Sequence, residues 1–302
     1  MRTKRCPVEV ARVLQKHFKC LALAIVTMAP IAAVGWAPFS AALAQAPSVS
    51  FSIRLAETVP TKGYKKVKVR GRDTTIYIAQ EDALTQNDVE IASLEDFKEF
   101  IGLRLVFTKA GKEKLASISS AHLSKPLAVL LNGEVVSAPV VRMKLLTGKG
   151  GVLIQGSFSR QEIEALVGSI KAGRQLRSEL ARIEGTWVAI SGRLNGEDKP
   201  PPKGVEIEFM NGKFRMATNG TVTDEGTFRI DPSKTPKAID LTHSIGRQKG
   251  KTGLGLYELR ADGLSLCMAA ADGSARPTNF SSPAGKNHFL MVWKKKPAEK
   301  KK

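Results

Sequence analysis

Glu184-Gly185-Thr186-Trp187 marks the point where one kind of sequence stops and another starts. Immediately before it, Ser159-Arg-Gln-Glu162 reads as a capping box, and Ile163, Leu166, Val167 and Ile170 follow at i, i+3, i+4 and i+7. A helix is predicted there, closed by Gly173, with residues 174–183 as a polar helical connector. After it, apolar and polar residues alternate in short runs: Thr186–Ser191, Val205–Met210, Lys213–Ala217, Gly226–Ile230, Ala238–Thr242, Gly253–Arg260, Gly263–Ala269 and His288–Lys294. Asn195-Gly196, Asn211-Gly212 and Asp262-Gly263 supply tight-turn chemistry between neighbours. Eight short strands so closely spaced predict an antiparallel meander that closes into a barrel, because closure removes the open sheet edges.

Further upstream, Phe51-Ser-Ile-Arg-Leu55 and Thr75-Ile-Tyr-Ile-Ala79 alternate as strands do. Between them, Lys66, Lys68, Arg70 and Arg72 share one face at a two-residue period, with Val67 and Val69 on the other. Two readings stay open for that face: the solvated arm of a hairpin, or a contact for an acidic polymer or anionic lipid. Tyr64 is its only aromatic neighbour, which argues against nucleic acid. Leu103–Thr108 is a strand, and Leu115 and Ile118 at helical spacing predict a helix over 109–120. Pro126–Leu131, Asn132-Gly133 and Glu134–Val141 form the best-specified hairpin, since Asn-Gly suits the two positive φ angles of a type I′ turn. Val152–Gln155 adds a strand.

The length of 302 residues suits two domains. Met1–Lys19 is basic, Leu21–Trp36 is apolar and contains Pro30, and Ala42-Leu43-Ala44 offers small residues to a peptidase. This reads as an export signal over 1–44, its apolar run short of the roughly 20 residues that span a bilayer; an uncleaved anchor is the alternative. Removing six basic residues and Glu9 with it leaves 41 Lys and Arg against 27 Asp and Glu, a formal charge of +14. Cys267 is then the sole cysteine, so stability must come from packed cores rather than an internal disulfide. A periplasmic or secreted location is expected. The tail from Lys294 to Lys302 carries six lysines and one glutamate, and reads as a solubilising end or a weak adsorber to anionic surfaces.

The run Leu103 to Gly173 resembles the periplasmic head subdomain of SecD. The residues that carry this are a strand-Thr-x-x-Gly-helix start, the hairpin Leu-Ala-Val-Leu-Leu-Asn-Gly-Glu-Val-Val-Ser-Ala-Pro over 127–139, Ile154-Gln-Gly156, and the helix opening Phe158-Ser-x-x-Glu-Ile. The resemblance implies a small α+β, ferredoxin-like module that contacts extended or unfolded polypeptide. On the hairpin, Leu127, Val129, Leu131, Val135 and Pro139 are the candidate peptide contacts, with burial in the core as the competing expectation. No transmembrane bundle with its proton-coupling carboxylate is read in this sequence, so a motor role is not expected. The second half resembles an uncharacterised lipocalin-like domain family first noticed in exported planctomycete proteins. Leu180, Gly185-Thr-Trp187, Asp231-Pro232, Ile239-Asp-Leu241, Gly255-Leu-Tyr257-Glu-Leu, Leu264-x-Leu-Cys267 and Arg276-Pro-x-x-Phe280 carry that likeness. It implies that Trp187 plugs one barrel end under an arginine, with Arg276 as the candidate cation–π partner.

The expected fold is therefore α+β: a SecD-head-type domain over 45–173, a connector over 174–183, a lipocalin-like antiparallel barrel over 184–296, and a tail over 297–302. Gly246 to Thr252 imitates a phosphate loop but has three residues rather than four between its glycines and no helix behind it. His122, His243 and His288 lack metal-ligand spacing. No catalytic motif, cofactor or metal is expected. The sequence reads as an exported, non-catalytic protein with two binding modules, one for polypeptide and one for a small apolar ligand if the barrel is hollow. The alternatives are a hydrolase with its site in the barrel mouth, and a structural protein that adsorbs to a polyanion or membrane.

Overall fold

A computed structural model describes residues 49–146, 150–246, 248–272 and 274–297. The expected export signal over 1–44, and residues 298–302 of the basic tail, lie outside them. Among the described residues there are two α-helices, and the rest of the regular structure is almost entirely β.

The first module runs β1 (Phe51–Glu57), β2 (Lys65–Lys68), β3 (Thr75–Ile78), β4 (Leu84–Thr85), β5 (Val89–Asp96), β6 (Ile101–Phe107), α1 (Lys109–Ala121), β7 (Leu127–Leu131), β8 (Glu134–Ser137), β9 (Val152–Gln155) and α2 (Arg160–Ile183). Its strands divide between two antiparallel sheets, β2-β3-β1-β7-β8 with β4 beside β1, and β5-β6-β9, rather than the single sheet of a ferredoxin-like module. Strand β5 is hidden from periodicity because a bulge between Val89 and Ile91 breaks the alternation. The Asn132-Gly133 turn has φ of 50° and 81°, as the hairpin reading requires. Strand β7 is buried along its whole length. Leu127, Val129 and Leu131 pack into the main core with Phe51, Ile53 and Phe107, while Ala128 and Leu130 join a smaller cluster with Ile76 and Val135.

Helix α2 opens on the expected capping box: Ser159 Oγ accepts from Glu162 N–H, and the Glu162 carboxylate accepts from Ser159 N–H. It does not end at Gly173. It continues as one 24-residue helix through the expected connector. An interior glycine costs a helix about 1 kcal/mol, and burial on both sides of Gly173, of Ile163, Leu166 and Ile170 before it and Glu179 and Ile183 after it, outweighs that. The helix stops at Glu184, where Gly185 takes φ +120°, a value that a side chain would strain, and turns the chain into the first barrel strand.

The barrel comprises β10 (Gly185–Leu194), β12 (Val205–Met210), β13 (Lys213–Thr218), β14 (Thr221–Asp231), β15 (Ala238–His243), β16 (Thr252–Leu259), β17 (Gly263–Ala269) and β18 (His288–Lys295), with β11 (Glu197–Asp198) a short flap on β10. Each strand pairs antiparallel with the next, and β18 returns to β10, so eight strands close. A bulge between Ala189 and Ser191 interrupts that seam. An Asn219-Gly220 turn, absent from the sequence expectations, joins β13 to β14. Trp187, Phe209, Phe214, Tyr257 and Trp293 fill the interior, each at most 2% exposed. A ligand-sized hollow would leave its lining open to a water-sized sphere. The interior is instead a packed core.

Candidate functional site

After β8 the chain doubles back along the end of α1. Leu127 N–H donates to Pro139 O (2.9 Å), Val141 N–H to Lys125 O (2.9 Å), Ser124 N–H to Val141 O (2.8 Å) and Leu145 N–H to Ser119 Oγ (2.9 Å). These bonds turn Val141 into the core at 4% exposure and leave Val140, Met143 and Leu146 outward at 41%, 68% and 75%. Leu123, on the facing segment, is 50% exposed. With exposed Pro139 they concentrate exposed apolar side chains on two neighbouring segments, referred to below as the patch, and Arg142 and Lys144 are exposed on the same stretch. Scattered exposed apolar residues are ordinary; several on two hydrogen-bonded segments point to an interaction surface.

The expected peptide contacts are mostly elsewhere. Leu127, Val129, Leu131 and Val135 are between 1% and 4% exposed, so they hold the sheet together and cannot meet a partner. Pro139 alone of that set is exposed and borders the patch. Strand addition to β8 is also closed off, because Arg70 N–H donates to Val135 O and Ser157 N–H to Val136 O along its outer edge. Sequence periodicity pointed to the hairpin over 126–141, but β8 stops at Ser137, so Pro139 and Val140 at the end of the expected strand are exposed, and Met143 and Leu146 follow in a segment with no period to read.

The expected basic face divides. Lys66, Lys68 and Arg72 are exposed or nearly so, with Lys68 paired to Asp73 at 3.2 Å. Arg70 is not available to an anion. Its guanidinium makes a two-pronged pair with Glu162 (2.8 and 3.0 Å), reaches Glu134 (3.1 Å) and donates to Ser157 O (2.7 and 3.0 Å). The same Glu162 caps α2, so Arg70 ties the end of the β2 arm and the start of β8 to the helix. Hydrogen bonding from Arg70 lowers the Glu162 carboxyl below its ordinary range. Replacing Arg70 with alanine is expected to cost about 1–2 kcal/mol of stability, discounted for partial exposure, read by urea unfolding.

In the barrel, Trp187 Nε1–H donates to Ile183 O (2.8 Å), and the cation over its ring is Lys295, with Nζ 5.0 Å from the centroid. Arg276 is not that partner. It donates to Ile239 O, Gly255 O and the Asp240 carboxylate (3.1, 2.6 and 2.6 Å), pinning the loop before β18 to β15 and β16. Helix α2 seals this module: Ile183 belongs to the barrel core and Leu180 packs against it. Beside them, buried Glu179 accepts from Tyr257 Oη–H (3.1 Å), Lys237 Nζ (3.0 Å) and Arg182 (2.9 Å). Burial alone would push the Glu179 carboxyl up, but Lys237, Tyr257 and Arg182 hold it below its ordinary range. Burial and the nearby carboxylate push the Tyr257 phenol up.

The thiol and the imidazoles have these surroundings. Cys267 is buried, its thiol pushed up by burial and bonded to Ser281 O at 3.3 Å. His243 Nδ1 meets the Asp224 carboxylate at 2.7 Å, and its ring stands edge-on to Phe214 at 5.5 Å. An open cleft of about 740 Å³ is bordered by His243 and Phe214 and lined by Glu208, Lys213, Arg215 and Glu225 among others; Asp224 does not line it. His122 is buried and bonded to Ala56 O at 2.8 Å. Among the described residues no three His, Cys, Asp or Glu side chains gather as a metal site, and no helix is long and apolar enough to cross a membrane.

The family model for the SecDF P1 head subdomain matches residues 62–175. The protein translocase subunit SecD of Magnetococcus marinus is 37% identical over 67 residues, 22% of this chain and 12% of that protein. Its counterpart in Sebaldella termitidis is 37% identical over 76 residues, covering 25% and 18%, and that of Calditerrivibrio nitroreducens is 30% identical over 118 residues, covering 37% and 22%. The chain therefore spans between 12% and 22% of the length of these relatives. The solved structure of SecDF in its super-membrane-facing form is 19% identical, with a TM-score of 0.33 over 41% of this chain and 19% of that one.

Proposed function

We propose that this is an extracytoplasmic, non-catalytic binding protein whose first module contacts extended or unfolded polypeptide through the patch of Leu123, Val140, Met143 and Leu146. The observation that carries the reading is that patch, set in a segment similar to the head subdomain of a protein translocase subunit. Fully burying one such side chain is worth about 1.5–3 kcal/mol, so several together supply useful affinity without strand pairing. The barrel serves as a lipocalin-like scaffold: its filled interior supports fastening α2 over taking up a small apolar ligand.

The test is fluorescence anisotropy with a fluorescein-labelled, uncharged Leu/Ala/Gly/Ser peptide and the purified protein. Saturable binding is expected, and Met143→Asp with Leu146→Asp is expected to weaken it by about tenfold or more, since two apolar contacts are lost. Both residues are exposed, so the pair should fold normally by circular dichroism. Absence of binding by the unaltered protein overturns the reading.

A further inference from the structure

The stretches that build the patch carry charge of one sign. No Asp or Glu occurs between Glu113 and Glu134, nor between Glu134 and Glu162, and these stretches supply every residue of the patch. Its flanking cation Lys125 is neutralised by Glu57 at 2.7 Å, whereas Arg142 and Lys144 are exposed and form no ion pair among the described residues. Glu134 is turned away to Arg70 at 3.1 Å. A partner laid over Met143 and Leu146 therefore has two unneutralised cations beside its apolar side chains and no carboxylate from these stretches against them.

We infer that the surface selects polypeptide segments in which apolar residues are flanked by Asp or Glu, and disfavours segments flanked by Lys or Arg. This rests on the polypeptide-contact reading and narrows it to a substrate class. Selection of this kind follows from differential affinity: an acidic flank gains two exposed charge contacts, while a basic flank meets like charge at the same positions.

The experiment compares two labelled peptides with the same apolar core, one flanked by Asp and one by Lys, against the purified protein, with phosphatidylglycerol vesicles as a third arm. The Asp-flanked peptide is expected to bind about three- to tenfold tighter at low salt, as two exposed charge contacts would give. The gap should shrink as salt is raised. Arg142→Ser with Lys144→Ser is expected to equalise the two affinities. Equal affinities for the unaltered protein, or tighter binding of the Lys-flanked peptide, overturn the selectivity and leave the polypeptide reading standing. Binding of neither peptide overturns both. Binding of the vesicles with neither peptide bound likewise overturns both, and its loss in the Arg142→Ser, Lys144→Ser variant would assign the patch, rather than the basic tail, to a lipid surface.

Discussion

Replacing Trp187 with alanine is expected to lower the unfolding free energy by about 3–5 kcal/mol, the usual cost of emptying a large aromatic site. The indole is 1% exposed and its Nε1–H is satisfied by Ile183 O, so the variant loses both packing and a hydrogen bond. Its position sharpens the effect. Trp187 pairs with Ile207 on β12 and with Lys295 on β18, so it stands at the closure of the barrel and beside the end of α2. Urea unfolding followed by far-ultraviolet circular dichroism measures the loss. Lys295→Met should cost less, about 1–2 kcal/mol, because it removes a partly exposed cation over the ring and an exposed hydrogen bond from Nζ to Arg182 O. Arg276→Ala should leave tryptophan emission unchanged, since its bonds run to β15 and β16. A red-shifted emission in Arg276→Ala that is absent when Trp187 is replaced by Phe would place Arg276 against that indole instead.

Glu179→Leu is the second large effect, expected to cost about 2–4 kcal/mol. The substitution leaves the buried Tyr257 hydroxyl without its acceptor and Lys237 without its counter-ion. Lys237 and Arg182 are partly exposed and water can serve them, which keeps the figure below that of a fully buried pair. The pH dependence carries the sign. The Glu179 carboxyl is depressed in the folded protein, so its contribution is present above its ordinary value of 4.5 and lost as pH falls through the lower folded value. Asp88 and Glu162 are depressed likewise. Unfolding free energy should therefore fall in acid, and Glu179→Gln should fall less steeply than the unaltered protein. Identical acid slopes would show that the cluster does not fasten helix to barrel.

Much of this architecture is decided by short-range chemistry. The Asn132-Gly133 turn and the Ser159–Glu162 capping box each involve no more than four residues, and both form as their spacing predicts. The barrel strands pair in the order in which their alternation appears along the chain, so neighbours in sequence become neighbours in the sheet. Local signals fail where a contact from elsewhere outweighs them. Gly173 carries a helix-stop preference of about 1 kcal/mol, and α2 overrides it because Ile183 and Glu179 are held against the barrel. Arg70 alternates with lysines as a surface residue would, yet Glu162, distant in sequence, draws it into a clamp.

Strand type, turn type and the change from a mixed to an all-β chain at Gly185 belong to the sequence, since φ preference, capping and alternation act over a few residues. Which apolar residues face solvent belongs to the tertiary structure. Composition cannot tell burial from exposure: Val129 and Val140 are both valines on adjacent antiparallel segments, and packing against the core puts the first at 1% exposure and the second at 41%.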